Sequence, residues 1–248
     1  MASNTTRARL QCSDTGVEAE ARLTLSKRGR TGGPSISQGW GAVVAEKQSV
    51  AGFPQPPRLI LIRHATTDWN EQSRLTSFTD LPLNERGIRQ AESLRWQLQS
   101  LHLRNPTILT SPSLRARQTQ AIAFPQATAR VARFVRECNF GRCEGRRLSD
   151  LESEALGWDF WKRGCPEGEE LSAVARRAQA LLKWYVSPNS DTVVFSHGVF
   201  IRVLASSVLS LEAHHGRKLH LDPAAVSIIG ASHPNRLLAW NRSASPGR

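Results

Sequence analysis

Residues 58–64 read Arg58-Leu59-Ile60-Leu61-Ile62-Arg63-His64, and the polar run Ala65-Thr66-Thr67-Asp68-Trp69-Asn70 follows. Leu59–Ile62 is a short, β-favouring apolar run of the kind a strand buried inside a parallel sheet shows, where both faces are covered. It delivers Arg63 and His64 at its carboxyl end. Beyond it, Asn84 opens a helix whose apolar residues Ile88, Ala91, Leu94, Leu98 and Leu101 fall on one face. Thr107-Ile108-Leu109 is a second short strand. Ser111-Pro112 then supplies an N-cap and a proline at the first helical position, predicting a helix to about Ile122. Leu171, Val174, Ala178, Leu181, Leu182 and Tyr185 make another helical stripe, stopped by Pro188. Residues 191–195 read as a strand, and 199–209 as a helix apolar on nearly all sides. Two weaker strands, 225–230 and 237–240, close the unit. This alternation predicts a three-layer α/β/α fold around a mainly parallel sheet.

Three of these units share one layout: a strand, conspicuous polar residues, then a helix. The first carries Arg63-His64, the second leads through Ser111-Pro112 to Arg115, and the third delivers Ser196-His197-Gly198. In an open parallel sheet the carboxyl ends of strands meet at the ligand crevice, so two histidines and two arginines should converge in one pocket. Guanidinium groups grip phosphate oxygens bidentately, which an ammonium cannot do. A neutral imidazole is a competent nucleophile near pH 7, provided a hydrogen bond at one nitrogen presents the other. A second, cationic imidazole would stabilise the charge that develops on a transferring phosphoryl group.

These residues are also where the chain resembles the histidine phosphatase superfamily, which includes the cofactor-dependent phosphoglycerate mutases. Arg63-His64-Ala65-Thr66-Thr67-Asp68-Trp69-Asn70 is similar to its first signature. Arg74-Leu75-Thr76, Thr79-Asp80-Leu81-Pro82-Leu83 and Gly87 look like its loop and first helix, and residues 110–119 resemble its second signature. Glu137-Cys138-Asn139-Phe140-Gly141 with Glu144-Gly145 looks like the segment bearing its acid, and Ser196-His197-Gly198 its last motif. The resemblance spans about Arg58 to Trp240 and implies a phosphoglycerate mutase-like fold. His64 would be the nucleophile, with Arg63, Arg115 and His197 as the phosphate clamp. Thr67, Asn70 and Gly198 would be substrate-binding. Glu137 would protonate the leaving oxygen and then activate water, with Glu144 or Glu167 as the next candidates for the acid. Arg117 reads as an exposed helix residue. Ala65 and Thr66 stand where the family usually has Gly and Glu or Gln, and Ser77 where it often has Gly. These departures bear on substrate preference more than on catalysis.

The mutases of this family carry a long insertion after the glutamate segment, whereas here about fifty residues separate Glu137 from Asp191. A more open pocket favours hydrolysis of a phosphate monoester through a phosphohistidine. Mutase-type phosphoryl transfer and non-catalytic phosphate binding are the alternatives. Trp158-Asp159-Phe160-Trp161 and Gly164-Cys165-Pro166-Glu167-Gly168-Glu169 resemble the branch with sedoheptulose-1,7-bisphosphatase-like and broad acid sugar-phosphatases. That implies Glu167 and Glu169 at the pocket rim and Lys162 or Arg163 on a second phosphate; the plainer reading is a packed aromatic helix and a turn.

The net charge of +12 over 248 residues comes mostly from scattered arginine, without the basic runs or interleaved aromatics of single-strand nucleic-acid binders. The expected partner is therefore a small phosphorylated metabolite, not nucleic acid. No apolar stretch approaches the roughly 20 residues of a membrane span. Cys12, Cys138, Cys143 and Cys165 show no zinc or disulfide pattern and read as reduced thiols of a cytoplasmic protein. Neither metal nor cofactor is expected, and oligomeric state is not legible. Residues 1–57, rich in Ser, Thr, Gly and Arg and ending in Phe53-Pro54-Gln55-Pro56-Pro57, read as a disordered extension with at most a short element near 18–25. Transit peptide, overcalled gene start and functional tail all stay open. The catalytic domain is expected over 58–242 and a short disordered tail over 243–248.

Overall fold

In the computed structural model, which describes residues 56–154, 158–187, 189–231 and 236–243, strand β1 (Arg58–Arg63) contains the apolar run. Its side chains alternate between two cores: Leu59 and Leu61 enter one, Ile60 and Ile62 the other, and all four are fully buried. A strand with two buried faces needs apolar residues at every position, which is why the period-2 pattern is missing from the sequence. Strands β2 (Thr107–Thr110), β3 (Arg130–Val131), β4 (Thr192–Ser196), β5 (Val226–Gly230) and β6 (Arg236–Arg242) complete a six-stranded sheet in the order β3-β2-β4-β1-β5-β6. The first four are parallel to one another, while β5 runs antiparallel to β1 and β6 antiparallel to β5.

Helix α1 (Asp68–Glu71) follows β1 directly, and α2 (Glu85–Ser100) and α3 (Leu114–Ala123) cover the Ile60/Ile62 face, joined there by Val193 and Phe195. Helices α4 (Leu148–Glu154) and α5 (Phe160–Arg163) precede α6 (Leu171–Trp184) and α7 (Gly198–Val208). Val174, Ala178 and Leu181 of α6 and Phe200, Ile201 and Leu204 of α7 pack on the Leu59/Leu61 face. The architecture is the expected three-layer α/β/α arrangement.

Two local expectations need correction. Ile88 is 42% exposed, and the buried stripe of α2 is Gly87, Ala91, Leu94 and Leu98. A Cβ at position 87 would lie 2.1 Å from the Thr66 carbonyl oxygen, so glycine lets α2 close onto the loop after His64. Ser111-Pro112 does not start α3: the N-cap is Ser113, and the Leu114 N–H bonds the Asp80 carboxylate. Ser111 is instead engaged with His197. At the domain's start, the Ala231 N–H donates to the Pro57 carbonyl at 2.8 Å, one residue before the expected boundary. The element expected near 18–25, Pro188 and most of both terminal segments lie outside the described residues.

Candidate active site

Three parallel strands, β2, β4 and β1, lie side by side, with Arg63 opposite Ser196 and Thr110 opposite Phe195. Their carboxyl ends therefore stand at one level. The next residues keep the register: the His64 N–H donates to the Ser196 carbonyl (2.8 Å) and the Ser111 N–H to the Phe195 carbonyl (2.9 Å). This places His64, Ser111 and His197 next to one another. The rings of His64 and His197 have centroids 5.1 Å apart at 59°.

His64 is 3% exposed, and its Nδ1 lies 2.8 Å from the Ala65 carbonyl oxygen. A carbonyl only accepts, so Nδ1 carries the proton and Nε2 keeps its lone pair. Burial, reinforced by Arg115 and Arg63, holds the His64 pKa well below that of an ordinary histidine. The ring is thus neutral at pH 7. His197 is fully buried and depressed in the same way, by burial first and then by Arg115, His64 and Arg63. The cationic second imidazole expected from sequence is therefore neutral in these surroundings. Its Nε2 meets the Ser111 hydroxyl at 2.7 Å, and its Nδ1 is buried without a partner.

Arg63 donates Nη1 to the Leu221 carbonyl at 2.6 Å and leaves Nε buried and unpaired. Arg115, wholly buried, donates Nη1 to Thr79 (3.1 Å) and Nη2 to the Thr76 (3.3 Å) and Ser77 (3.0 Å) carbonyls; its Nε too is buried and unpaired. Burial lowers both arginine pKa values, opposed by Glu137. Both stay cationic at neutral pH. An unpaired buried polar group costs about 1–3 kcal/mol, and this site holds three: Arg63 Nε, Arg115 Nε and His197 Nδ1.

Glu137 is 7% exposed and sits at the amino end of α7. Oε2 accepts the Val199 N–H (3.1 Å), and Oε1 accepts those of Phe200 (3.1 Å) and Cys138 (3.0 Å). A Cβ added to Gly198 would lie 3.5 Å from Arg63 Nε and 3.8 Å from Glu137 Oε2. Gly198 thus leaves these groups room at the helix start. The structure brings Arg63, His64, Arg115, Glu137, His197 and Gly198 together. Thr67 and Asn70, expected to bind substrate, form a capping box on α1, the Thr67 N–H and hydroxyl donating to Asn70 Oδ1 at 3.0 and 3.1 Å. They shape the loop after His64, and only the Asn70 amide NH2 is left over.

Glu144 turns out to be a loop organiser. Its carboxylate accepts the N–H groups of Ser77 (2.9 Å) and Thr79 (3.0 Å) and the Ser77 hydroxyl. The 76–79 loop is thereby held between Glu144 and the Arg115 guanidinium. The Ser77 hydroxyl also accepts the Phe140 N–H (3.2 Å), tying this loop to the segment after Glu137. The 158–169 segment corrects the sequence reading. Glu169 is bound by Arg177 through both oxygens (2.8 Å each), and Glu167 pairs with Arg142. Lys162 and Arg163 line a separate cavity of about 610 Å³ between α5 and α6. Phe160 packs edge-on against Phe140 at 5.2 Å, so the packed aromatic helix is the right account.

The histidine phosphatase superfamily (branch 1) matches residues 59–243, and the chain belongs to that family. It is 30% identical to an acid phosphatase of Mycobacterium tuberculosis over 73% of this chain and 90% of that protein. It is 31% identical to a probable phosphoglycerate mutase GpmB of Erwinia tasmaniensis (69% and 84%), and 34% identical to a sedoheptulose 1,7-bisphosphatase of Saccharomyces cerevisiae (60% and 66%). The solved structure of the open reading frame Rv3214 of Mycobacterium tuberculosis superposes with a TM-score of 0.72 at 27% identity, covering 76% of this chain and 99% of that one. The chain is a phosphatase of this superfamily.

Proposed function

We propose that the protein hydrolyses the phosphate monoester of a small metabolite, such as a sugar phosphate, through a phosphohistidine on His64, without a metal ion. The observation that carries this is the set of buried, unpaired nitrogens of Arg63, Arg115 and His197 around a neutral imidazole with a free Nε2. A phosphoryl group set among them satisfies all three. His64 Nε2 attacks phosphorus while the P–O ester bond breaks, and the leaving oxygen takes a proton from the Glu137 carboxyl. Water then attacks phosphorus as the N–P bond breaks and gives its proton to Glu137, releasing phosphate and neutral His64. In the arrangement seen, Glu137 only accepts hydrogen bonds, which suits the base of the second step; the first requires it to carry a proton. A phosphate dianion beside His197 favours its protonation, restoring the cationic role there.

Mutase-type transfer is the second reading, favoured by the GpmB likeness. We take the catalytic unit as 58–242 and the protein as cytoplasmic. No described helix is long and apolar enough to cross a membrane. The test is phosphate release from a panel of sugar phosphates, phosphoglycerates and an aryl phosphate, with a chelator present throughout. Turnover under chelation is expected. Activity abolished by chelation and restored by magnesium or zinc, or phosphate returned to a second site without release, contradicts the proposal.

A further inference from the structure

A cavity of about 250 Å³ opens onto Glu137 and Ser113, whose hydroxyl lies 3.4 Å from His197 Nε2. Phe78, Asp80, Arg133 and Arg136 line it as well. Its lining carries two carboxylates and two guanidinium groups, and none of the four is ion-paired among the described residues. The Asp80 carboxylate takes the Leu114 N–H and Glu137 takes three backbone N–H groups, so both anions are supplied with donors. Arg133 and Arg136 have no carboxylate partner and no side-chain hydrogen bond among the described residues. Elsewhere in the same region Arg142, Arg146 and Arg177 are each paired with a glutamate.

The backbone that bears the two arginines is held in place. Arg133–Val135 forms a 3-10 turn, and residues three apart on such a turn project to the same side. Arg177 donates to the carbonyls of Phe134 (2.6 Å) and Arg136 (3.1 Å), fixing the backbone that bears them. The Arg136 guanidinium lies 5.0 Å from the centroid of the Phe78 ring. A guanidinium over an aromatic face keeps its N–H edges free for an anion. Arg63 and Arg115, which do not line this cavity, are already assigned to the charge of the transferred phosphoryl group. Two further unpaired cations at the mouth call for a second anion on the same ligand.

We propose that Arg133 and Arg136, with Phe78 beneath Arg136, form a subsite for a second anionic group, phosphate or carboxylate, on the part of the substrate that is not transferred. This rests on reading the floor as the phosphoryl site. Lys162 and Arg163, which sequence offered for such a group, face the other cavity.

The test is equilibrium binding by calorimetry in the full-length His64→Ala protein, so that no ligand is consumed. A sugar bisphosphate, the corresponding monophosphate, a phosphorylated hydroxy acid and inorganic phosphate are compared. The parent should bind at least one doubly anionic ligand about tenfold or more tighter than the monophosphate. Whether the bisphosphate or the hydroxy acid gains more identifies the second anion. Arg133→Gln with Arg136→Gln should bring that ratio to about one while leaving monophosphate and inorganic phosphate within about twofold. A ratio that survives the double substitution, equal losses for every ligand, or no preference in the parent overturns the subsite. Failure of the phosphatase reading shows separately, as no aryl-phosphate turnover by the unsubstituted enzyme.

Discussion

Arg115 and Arg136 serve one site but are held in opposite ways. Arg115 is wholly buried, its two terminal nitrogens spent on three carbonyls of the 76–79 loop, and that loop is gripped from behind by Glu144. Arg136 is half-buried and rests on a phenylalanine that is 55% exposed. The floor is preorganised by strand ends and backbone, as charge stabilisation in a transition state requires. The mouth is built from side chains on separate loops and can change without disturbing the chemistry. On the proposed reading, catalysis and selectivity are carried by different groups of residues.

The sharpest way to break this division is through Glu137, which touches both parts. Sugar alkoxides are basic leaving groups and need a proton, so Glu137→Gln should slow phosphorylation by a sugar phosphate on the order of 10²–10⁴-fold. An aryl phosphate with an activated phenolate should be slowed much less. Arg115→Ala removes charge neutralisation common to both and should depress both alike. Burst kinetics separate this step from the water-dependent one. Equal loss of burst rate for both substrates in Glu137→Gln would remove Glu137 as the acid.

A smaller effect is expected one layer back. Glu144→Gln replaces the carboxylate that collects two N–H groups and a hydroxyl of the 76–79 loop. Loss of charged hydrogen bonds there should cost roughly 1–3 kcal/mol of stability. Through the loosened Arg115, kcat/KM should fall about tenfold for aryl and sugar phosphates alike. If only stability falls, the loop does not position Arg115. If aryl phosphate alone is spared, Glu144 acts on the leaving group and belongs with the acid.

The same division explains what the sequence disclosed. Arg63, His64 and His197 follow strands whose apolar runs are plain, and a parallel sheet brings such ends together whatever the loops do. Gly87 was invisible as a core position because it has no side chain to score, yet α2 closes on the Thr66 carbonyl there. Ser111 looked like a helix cap because its side chain is of capping type; its hydroxyl is engaged by His197, a residue 86 positions away. The 158–169 segment resembles the sugar-phosphatase branch, but a resemblance in sequence does not say which cavity its side chains face. Phe160 is anchored in the core on Phe140, which leaves Lys162 and Arg163 on a different cavity. Arg133 and Arg136 precede the acid by four and one positions, a signal the sequence did carry, but nothing in it shows that Phe78 lies under Arg136.

The central claim is that His64 itself carries the phosphoryl group, and trapping it is the most direct test. Brief incubation of the enzyme with radiolabelled phosphate ester and an alkaline detergent quench should give a phosphoprotein that is stable to base and labile to acid, at up to one label per chain. His64→Ala should abolish the label and lower turnover on the order of 10⁴-fold or more. Label persisting in the His64→Ala protein, or a label stable to acid, would place the nucleophile on another residue and contradict the account.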